Sequence, residues 1–482
     1  MKRPIPLPTA VLVLLATLAM AAPPVPALAE AATWVAPEAD FPHDDFGAAA
    51  RVVAVKRDAL LDATIVAFST GARLIVKPTR FSPGEVTVVA SFGAGRSGVP
   101  PELVHALWAT PLFPLGGTRH LSFEDLDAWE KTSGHPVNVT LVATASAFQL
   151  KGEVPSSDLG AELELLTAHA REPGFRPEMT ATIASVGPML AAQIESDPSA
   201  AFTRAVQHSL VGARYQELPE RADLVATTGV ELTALLRPAF ATAPDIVIVG
   251  DIDVDAAIRA VAATLAAGDV RPSRTSVSPI VATPMKRAQL ADLSHAEAPE
   301  TVRVGIYWRL QGDRSGLGIE RAARVAAAMV ETRLQQSSLQ GVSQLVAPVA
   351  RAVTPVDLEG ANYLGIVVGA RGGNASIVPV REMRATKDLA AGRFTDDELA
   401  HANQSVAVEL GAEAKTNGWW ARRLGAVLRD RKSAECLRAG ISARPVDRVE
   451  IKAFVRRMVG GVAPTVIVGK DAGTGETKGE AQ

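Results

Sequence analysis

A chain of 482 residues that is 48% hydrophobic and 21% charged is globular, with apolar material for two cores of roughly 200 residues each. Its formal charge of −3, without any basic stripe, excludes nucleic acid as a partner. A single cysteine, Cys436, excludes an intrachain disulfide. At the N-terminus, Lys2 and Arg3, the apolar run Val11–Ala22 and the small-x-small site Ala27-Leu28-Ala29 form a cleavable signal peptide over residues 1–29. The run is shorter than a bilayer span, and no later stretch is apolar enough to cross one. The expected product is periplasmic or secreted, with no membrane anchor. Residues 30–62 are weakly patterned and read as a leader arm. His43-Asp44-Asp45 within it reads as a solvated polar cluster, not a cation site.

A first domain is expected over 63–269. Gly71–Pro78 and Val86–Phe92 are its opening strands, joined by a turn at Pro83-Gly84. Helices follow at Glu102–Phe113 and Phe123–Lys131, the second with Ser122 as N-cap and Asp125 in its first turn. Val137–Gly152 reads as strand, turn and strand. Asn138-Val-Thr140 matches a glycosylation acceptor, but a strand is the wrong place for one. Ser156 or Ser157 caps a helix whose Leu159, Leu163 and Leu166 recur at helical spacing. Met179–Glu195 is a further helix, and Thr228-x-x-Glu231 is a capping box ahead of Leu232–Phe240. Ile246–Val249 is a buried strand and Asp253–Ala267 a closing helix. Asp251, Asp253 and Asp255 alternate like a calcium loop but lack its Gly and distal Glu, so Asp253 reads as an N-cap.

Pro272, Pro279 and Pro284 mark 270–290 as a linker to a second domain over 291–470. There Val302, Val304, Ile306, Trp308 and Leu310 alternate with polar or small residues as a period-two strand. Helices are expected at Glu320–Gln336, at Ser376–Lys387 and after the capping box Thr395-x-x-Glu398. Gly369–Asn374 lacks a P-loop Lys-Ser/Thr and reads as a turn. Trp419-Trp420, beside Arg422 and Arg423, reads either as a partner-facing patch or as buried helix packing. Val449–Val459 precedes a final strand at Val466–Val468, and 471–482 is a flexible tail.

The chain also repeats itself once. Phe175 of Gly-Phe-Arg-Pro-Glu and Phe394 of Gly-Arg-Phe-Thr-Asp-Asp-Glu lie 219 positions apart. Gly250 of Ala-Pro-Asp-Ile-Val-Ile-Val-Gly and Gly469 of Ala-Pro-Thr-Val-Ile-Val-Gly are again 219 apart, and Arg96-Ser97-Gly98 precedes Arg314-Ser315-Gly316 by 218. A period this long means duplicated domains rather than a solenoid. Strands and helices alternate without the spacing of a doubly wound sheet. Each domain is therefore expected to be α+β, a mostly antiparallel sheet with helices packed on one face.

Over residues 63–470 this pattern resembles the insulinase/pitrilysin family of zinc metallopeptidases, the inverzincins. Thr70-Gly71-Ala72-Arg73-Leu74-Ile75-Val76 is similar to the family's opening strand, Ile248-Val249-Gly250-Asp251-Ile252-Asp253 to its strand-to-helix turn, and Phe394-Thr395-Asp396-Asp397-Glu398-Leu399 to a helix start. The resemblance implies tandem domains of the metalloenzyme LuxS/insulinase-like fold, forming half of a clamshell whose two halves enclose a peptide chamber. Active members need His-x-x-Glu-His on a helix, which sets two imidazoles one turn apart for zinc and a Glu to polarise its water. The matching stretch here is His105-Ala106-Leu107-Trp108-Ala109. His105 stands at the first ligand, but Trp108 replaces the base and Ala109 the second ligand. The third-ligand region, Thr182–Val186, offers no carboxylate before Glu195, and the corresponding stretch of the second domain is Ala322-Ala323-Arg324-Val325-Ala326. The Arg and Tyr with which the family binds the scissile carbonyl are expected near Ser337 and Gln344, after Arg333-Leu334, and both are missing. The resemblance thus implies no catalytic residue, no metal site and no cofactor in this chain. The expected function is a non-catalytic subunit that completes the peptide chamber of a zinc-bearing insulinase-like partner and binds peptide or unfolded polypeptide. Two alternatives stay open: a periplasmic zinc peptidase with displaced ligands drawn from His105, His120 and Glu124, and a peptide-binding scaffold without an enzymatic partner.

Overall fold

The structure, a computed structural model, describes residues 45–274, 289–293, 301–311, 316–339, 345–356, 358, 360–371, 378–429, 431–441, 444–461 and 463–471. The signal peptide, His43-Asp44, most of the linker, Arg314-Ser315, Gly372–Asn374, Gln344 and the tail beyond 471 lie outside them. The described residues form two compact units. The first takes 45–95, 101–184 and 227–274, and the second takes 96–100, 185–226 and the described residues beyond 276.

In chain order the elements begin with β1 (Val52–Asp58), β2 (Ala63–Phe68), β3 (Arg73–Pro78), β4 (Glu85–Phe92), a 3₁₀ segment (Pro101–Gly116), α1 (Phe123–Ser133), β5 (Thr140–Ala143) and β6 (Phe148–Pro155). Then come α2 (Leu159–Arg171), α3 (Pro177–Ser196), α4 (Pro198–Val211), α5 (Arg221–Ala226), α6 (Gly229–Phe240), β7 (Asp245–Gly250) and α7 (Val254–Ala263). The rest are β8 (Gln289–Leu293), β9 (Thr301–Arg309), α8 (Glu320–Leu339), β10 (Leu345–Val353), β11 (Tyr363–Arg371), α9 (Val378–Ala390), α10 (Asp396–Glu413), α11 (Asn417–Arg429), α12 (Arg431–Ile441), α13 (Arg448–Gly460) and β12 (Thr465–Asp471). Among the described residues no helix is long and apolar enough to cross a membrane.

The first unit holds a seven-stranded sheet in the order β1-β2-β3-β7-β4-β6-β5. Only β3 and β7 are parallel. Every residue of β7 is buried, as a continuous Val/Ile run covered on both faces requires. The strands on either side of the Pro83-Gly84 turn therefore do not pair with each other: β7 lies between them. The first register pair of β3 and β7, Arg73 opposite Asp245, is locked by two charged hydrogen bonds of 2.7 and 2.8 Å, and Arg274 adds a third to Asp245 at 2.6 Å. The stretch read as a leader arm ends in β1, the edge strand against β2. Six of its seven residues are exposed, so β1 contributes backbone ladder bonds and no buried face, which is why it has no periodic signature.

The second unit's sheet runs β10-β11-β9-β12-β8, with only β12 and β8 parallel. Read outward from the parallel pair, β3-β7-β4-β6-β5 and β8-β12-β9-β11-β10 trace one path with the same strand senses. This is the three-dimensional form of the 219-residue repeat, with Gly250 ending β7 and Gly469 on β12. One face of the second sheet presents Val304, Ile306 and Trp308 to a core built from α8 (Val325, Ala326, Met329, Val330) and α13 (Ile451, Phe454, Val455). The other face receives a helix as well, where Phe202, Val206 and Leu210 of α4 pack with Tyr307 and Ile467.

Three reciprocal capping boxes form where the four-residue patterns stand: Ser122/Asp125 at α1, Thr228/Glu231 at α6 and Thr395/Glu398 at α10. Asp253 caps α7 by accepting from the Ala256 N–H at 2.8 Å. Two helix ends differ from expectation. Neither serine caps α2: the Ser156 hydroxyl donates to the Asp251 carbonyl at 2.6 Å, and a 3₁₀ turn leads into the helix instead. Helix α7 stops at Ala263 because Thr264 leaves the helical backbone, at φ −122° and ψ −103°, and the N–H groups of Thr264, Ala266 and Ala267 turn to the Val261 and Thr264 carbonyls instead of continuing the i−4 ladder. The freed carbonyls of Thr264 and Ala267 accept from Arg171 and that of Leu265 from Arg271. Thr395→Ala is expected to cost about 1 kcal/mol, read by calorimetry as a fall of about 2–4 °C in Tm.

Candidate functional site

The segment carrying His105 is not the α-helix expected over Glu102–Phe113. It is 3₁₀ throughout Pro101–Gly116, and Pro111 and Pro114 remove two of the N–H groups an α-helix would need there. With three residues per turn, positions 105 and 108 eclipse one another and 109 is turned away from 105. This backbone does not set up the one-turn pairing of side chains on which a His-x-x-Glu-His motif depends. The Trp108 indole N–H donates to the Thr227 hydroxyl at 2.8 Å, and that hydroxyl reaches the His105 carbonyl at 3.4 Å. Ala109 is wholly buried and brings no polar atom. His105 Nε2 lies 3.1 Å from Glu231 Oε1, while Glu231 Oε2 accepts from the Thr228 N–H at 2.8 Å and its hydroxyl at 2.9 Å. Burial draws the Glu231 carboxyl upward, but the Thr228 hydrogen bonds and His105 outweigh it and hold the group below the usual carboxylate range. His105 is thus tied into the capping box of α6.

The other candidate ligands are committed elsewhere. His120 Nε2 pairs with Glu172 at 2.9 Å, and Glu124 is exposed in the first turn of α1. The Thr182 hydroxyl bonds back to the Glu178 carbonyl, and Glu195 holds Arg221 through bonds of 2.7 and 2.8 Å. Among the described residues no three His, Cys, Asp or Glu side chains converge as a metal site, so His105, His120 and Glu124 are not brought together. In the second unit Arg333 holds Glu398 at 2.9 and 3.1 Å. Of the two readings of Trp419-Trp420, internal packing is the one found: both are buried, and the Arg423 guanidinium lies 3.8 Å from the Trp419 ring centre. Asp251 accepts from the Gly84 N–H at 3.1 Å, so with Asp253 it serves the turn and the helix cap.

Two features went unread in the sequence. Glu162 is fully buried in α2, and neither carboxylate oxygen has a partner. Burial raises its pKa well above the ordinary value. A Cβ at Gly152 on β6 would stand 1.8 Å from Glu162 Oε1, so only glycine admits this carboxyl. The signal was present, since Glu162 falls on the apolar stripe of Leu159, Leu163 and Leu166. The second feature, a cleft lined by arginines far apart in sequence, had no local signal.

No family model matches the sequence, and no curated protein matches it. Solved structures do match in fold. The periplasmic protease PqqL from Escherichia coli superposes with a TM-score of 0.69 at 15% identity, covering 96% of this chain and 50% of its own. The ferredoxin protease FusC, in complex with Arabidopsis ferredoxin, gives 0.68 at 16%, covering 98% and 51%. A peptidase M16 inactive domain from Pseudomonas fluorescens gives 0.67 at 14%, covering 86% and 98%. The chain spans about half the length of the first two. The twice-traced strand path and these matches together give this chain the fold of the M16 peptidases, the insulinase-like architecture that the sequence resemblance implied.

Proposed function

We propose that this chain is an exported, non-catalytic insulinase-like subunit that completes the peptide chamber of a zinc-bearing homologue. The observation that carries this reading is the occupancy of the motif positions: Trp108 bonded to Thr227 where the base belongs, and the buried Ala109 where the second imidazole belongs. Its span of half of FusC and half of PqqL is what one half of a two-part peptidase has, and a peptidase M16 inactive domain has the same fold. Export is supported by the signal-peptide pattern of residues 1–29 and by the periplasmic location in PqqL's description. Peptide binding is supported by the protein bound to FusC.

Affinity capture of the tagged protein from cell envelopes is expected to bring down a second chain bearing His-x-x-Glu-His, with one zinc per pair by metal analysis, and peptide cleavage is expected only when both chains are present. If the purified chain alone carries stoichiometric zinc and cleaves peptides, and His105→Ala abolishes that cleavage, the reading is wrong.

A further inference from the structure

The cleft that local patterns hid has a volume of about 570 Å³ and lies wholly within the first unit. Arg171 stands at the end of α2 and Phe175 in the turn after it, Arg237 and Phe240 in the last turn of α6, Arg119 before α1, and Arg271 after α7. Against four guanidinium groups stand two carboxylates, Glu172 and Asp269. Glu172 is already paired with His120 at 2.9 Å, and Asp269 is exposed.

Arg171 and Arg271 are held, and the charges of Asp269 and Glu172 offset only part of the burial that lowers the pKa of Arg171. Among the described residues none of the four forms an ion pair with a carboxylate. Arg171 is fixed by the main-chain carbonyls of Phe46, Thr264 and Ala267, and Arg271 by that of Leu265 at 2.6 Å. Carbonyl dipoles orient a guanidinium without cancelling its charge. Burial, and then the neighbouring charge of Arg171, push Arg271 down to about 10. An anion in the cleft would relieve that repulsion. Arg119 and Arg237 are exposed, and among the described residues their side chains bond to nothing. They stand free to close on a ligand.

The remaining wall is aromatic. The Phe240 ring is buried, and Phe175 is held at a φ of +43°, a left-handed backbone that a non-glycine residue adopts only when its surroundings impose it. Its ring packs 5.8 Å from Phe113, centre to centre. A planar guanidinium fork matches a carboxylate in geometry and charge. An aromatic wall beside it matches an apolar side chain. Inorganic phosphate would use only the first half of this surface, and a neutral peptide only the second.

We propose that this cleft binds the carboxylate of a peptide, with an apolar side chain of that peptide seated against Phe175 and Phe240. The inference rests on the peptide-handling part of the function proposed above and not on the zinc-bearing partner. Its test is fluorescence anisotropy on the purified chain alone, so a failed capture experiment and a failed titration remain distinguishable. The probes are a labelled hexapeptide ending in a free-carboxylate leucine, its C-terminal amide, the amide with one internal glutamate, and the free acid ending in glycine, with inorganic phosphate as competitor.

The free leucine acid is expected to bind at least about tenfold more tightly than the plain amide and more tightly than the glycine acid, a difference of about 1.4 kcal/mol per factor of ten. The double variant Arg119→Glu/Arg237→Glu, both changes being on the surface, is expected to weaken the leucine acid at least about tenfold with no fall in Tm. Recovery of binding by the glutamate-bearing amide would locate the carboxylate on a side chain, and failure to recover would locate it at the chain terminus. Either result keeps the carboxylate site. Equal binding of acid and amide, indifference to the charge reversal, or displacement by phosphate with no preference for leucine over glycine would each overturn the proposal.

Discussion

Glu162→Gln is expected to stabilise the protein at neutral pH and to flatten its pH–stability profile. The native state keeps the Glu162 carboxyl buried with neither oxygen bonded, so burial raises its pKa well above the 4.5 it has when solvated. Below pH 4.5 both folded and unfolded chains carry the proton, and the group imposes no charge penalty. As pH rises above 4.5 the unfolded chain ionises first and gains hydration that the folded chain cannot. Stability then falls by about 1.4 kcal/mol per pH unit until the folded pKa is reached. Glutamine is neutral throughout and removes that slope while keeping nearly the same volume against Gly152. Denaturant melts of the two proteins from pH 4 to 8 are expected to agree within about 1 kcal/mol at the acid end and to diverge as pH rises, the variant being the more stable. Parallel curves would show that Glu162 is not ionically frustrated.

The opposite sign is expected for Arg423→Met in the second unit. Arg423 is 5% exposed, sits against Trp419, and reaches both oxygens of Glu320 at 2.7 and 2.8 Å. Arg324 holds the same Glu320 at 2.9 Å and Glu413 at 2.7 and 2.9 Å. Removing Arg423 leaves the Glu320 carboxylate in a poorly hydrated place with one partner instead of two. A loss of about 3–5 kcal/mol is expected, with Tm lower by about 6–20 °C. Arg423→Lys should recover only part of it, because an ammonium lacks the planar face that Arg423 lays on Trp419. Adding Glu320→Leu to Arg423→Met should recover part of the loss by removing the stranded charge. If the single change lowers Tm by less than about 2 °C, the network is ornamental to stability.

How much of this was legible in the sequence follows from the range of each interaction. The N-cap at Ser122 and the capping boxes at Thr228 and Thr395 are written in four consecutive residues each, and the structure forms all three, closing a full box at Ser122 with Asp125 as well. The apolar run of β7 requires burial on both faces whatever its neighbours, and it is buried at every position. By contrast, the 3₁₀ winding of Pro101–Gly116 was misread because its composition suits an α-helix, and only Pro111 and Pro114 hint otherwise. The apolar pattern of α7 continues past Ala263, but Thr264 leaves the helical backbone at φ −122° and ψ −103°, and the Thr264, Leu265 and Ala267 carbonyls beyond it are received by Arg171 and Arg271, which come from elsewhere in the fold.

By itself, the sequence determined that two copies of one α+β unit stand in tandem and where several helices begin. These follow from periodicity, from contacts a few residues long and from the chemistry of single residues, none of which requires knowing what lies across the fold. Only the tertiary structure decided that β7 lies between β3 and β4, that α4 covers the second face of its sheet, that Glu162 faces Gly152, and that four arginines spread from position 119 to position 271 share one cleft. Those depend on pairings across tens to hundreds of residues, where the energy of burial and charge compensation outweighs any local preference of the chain.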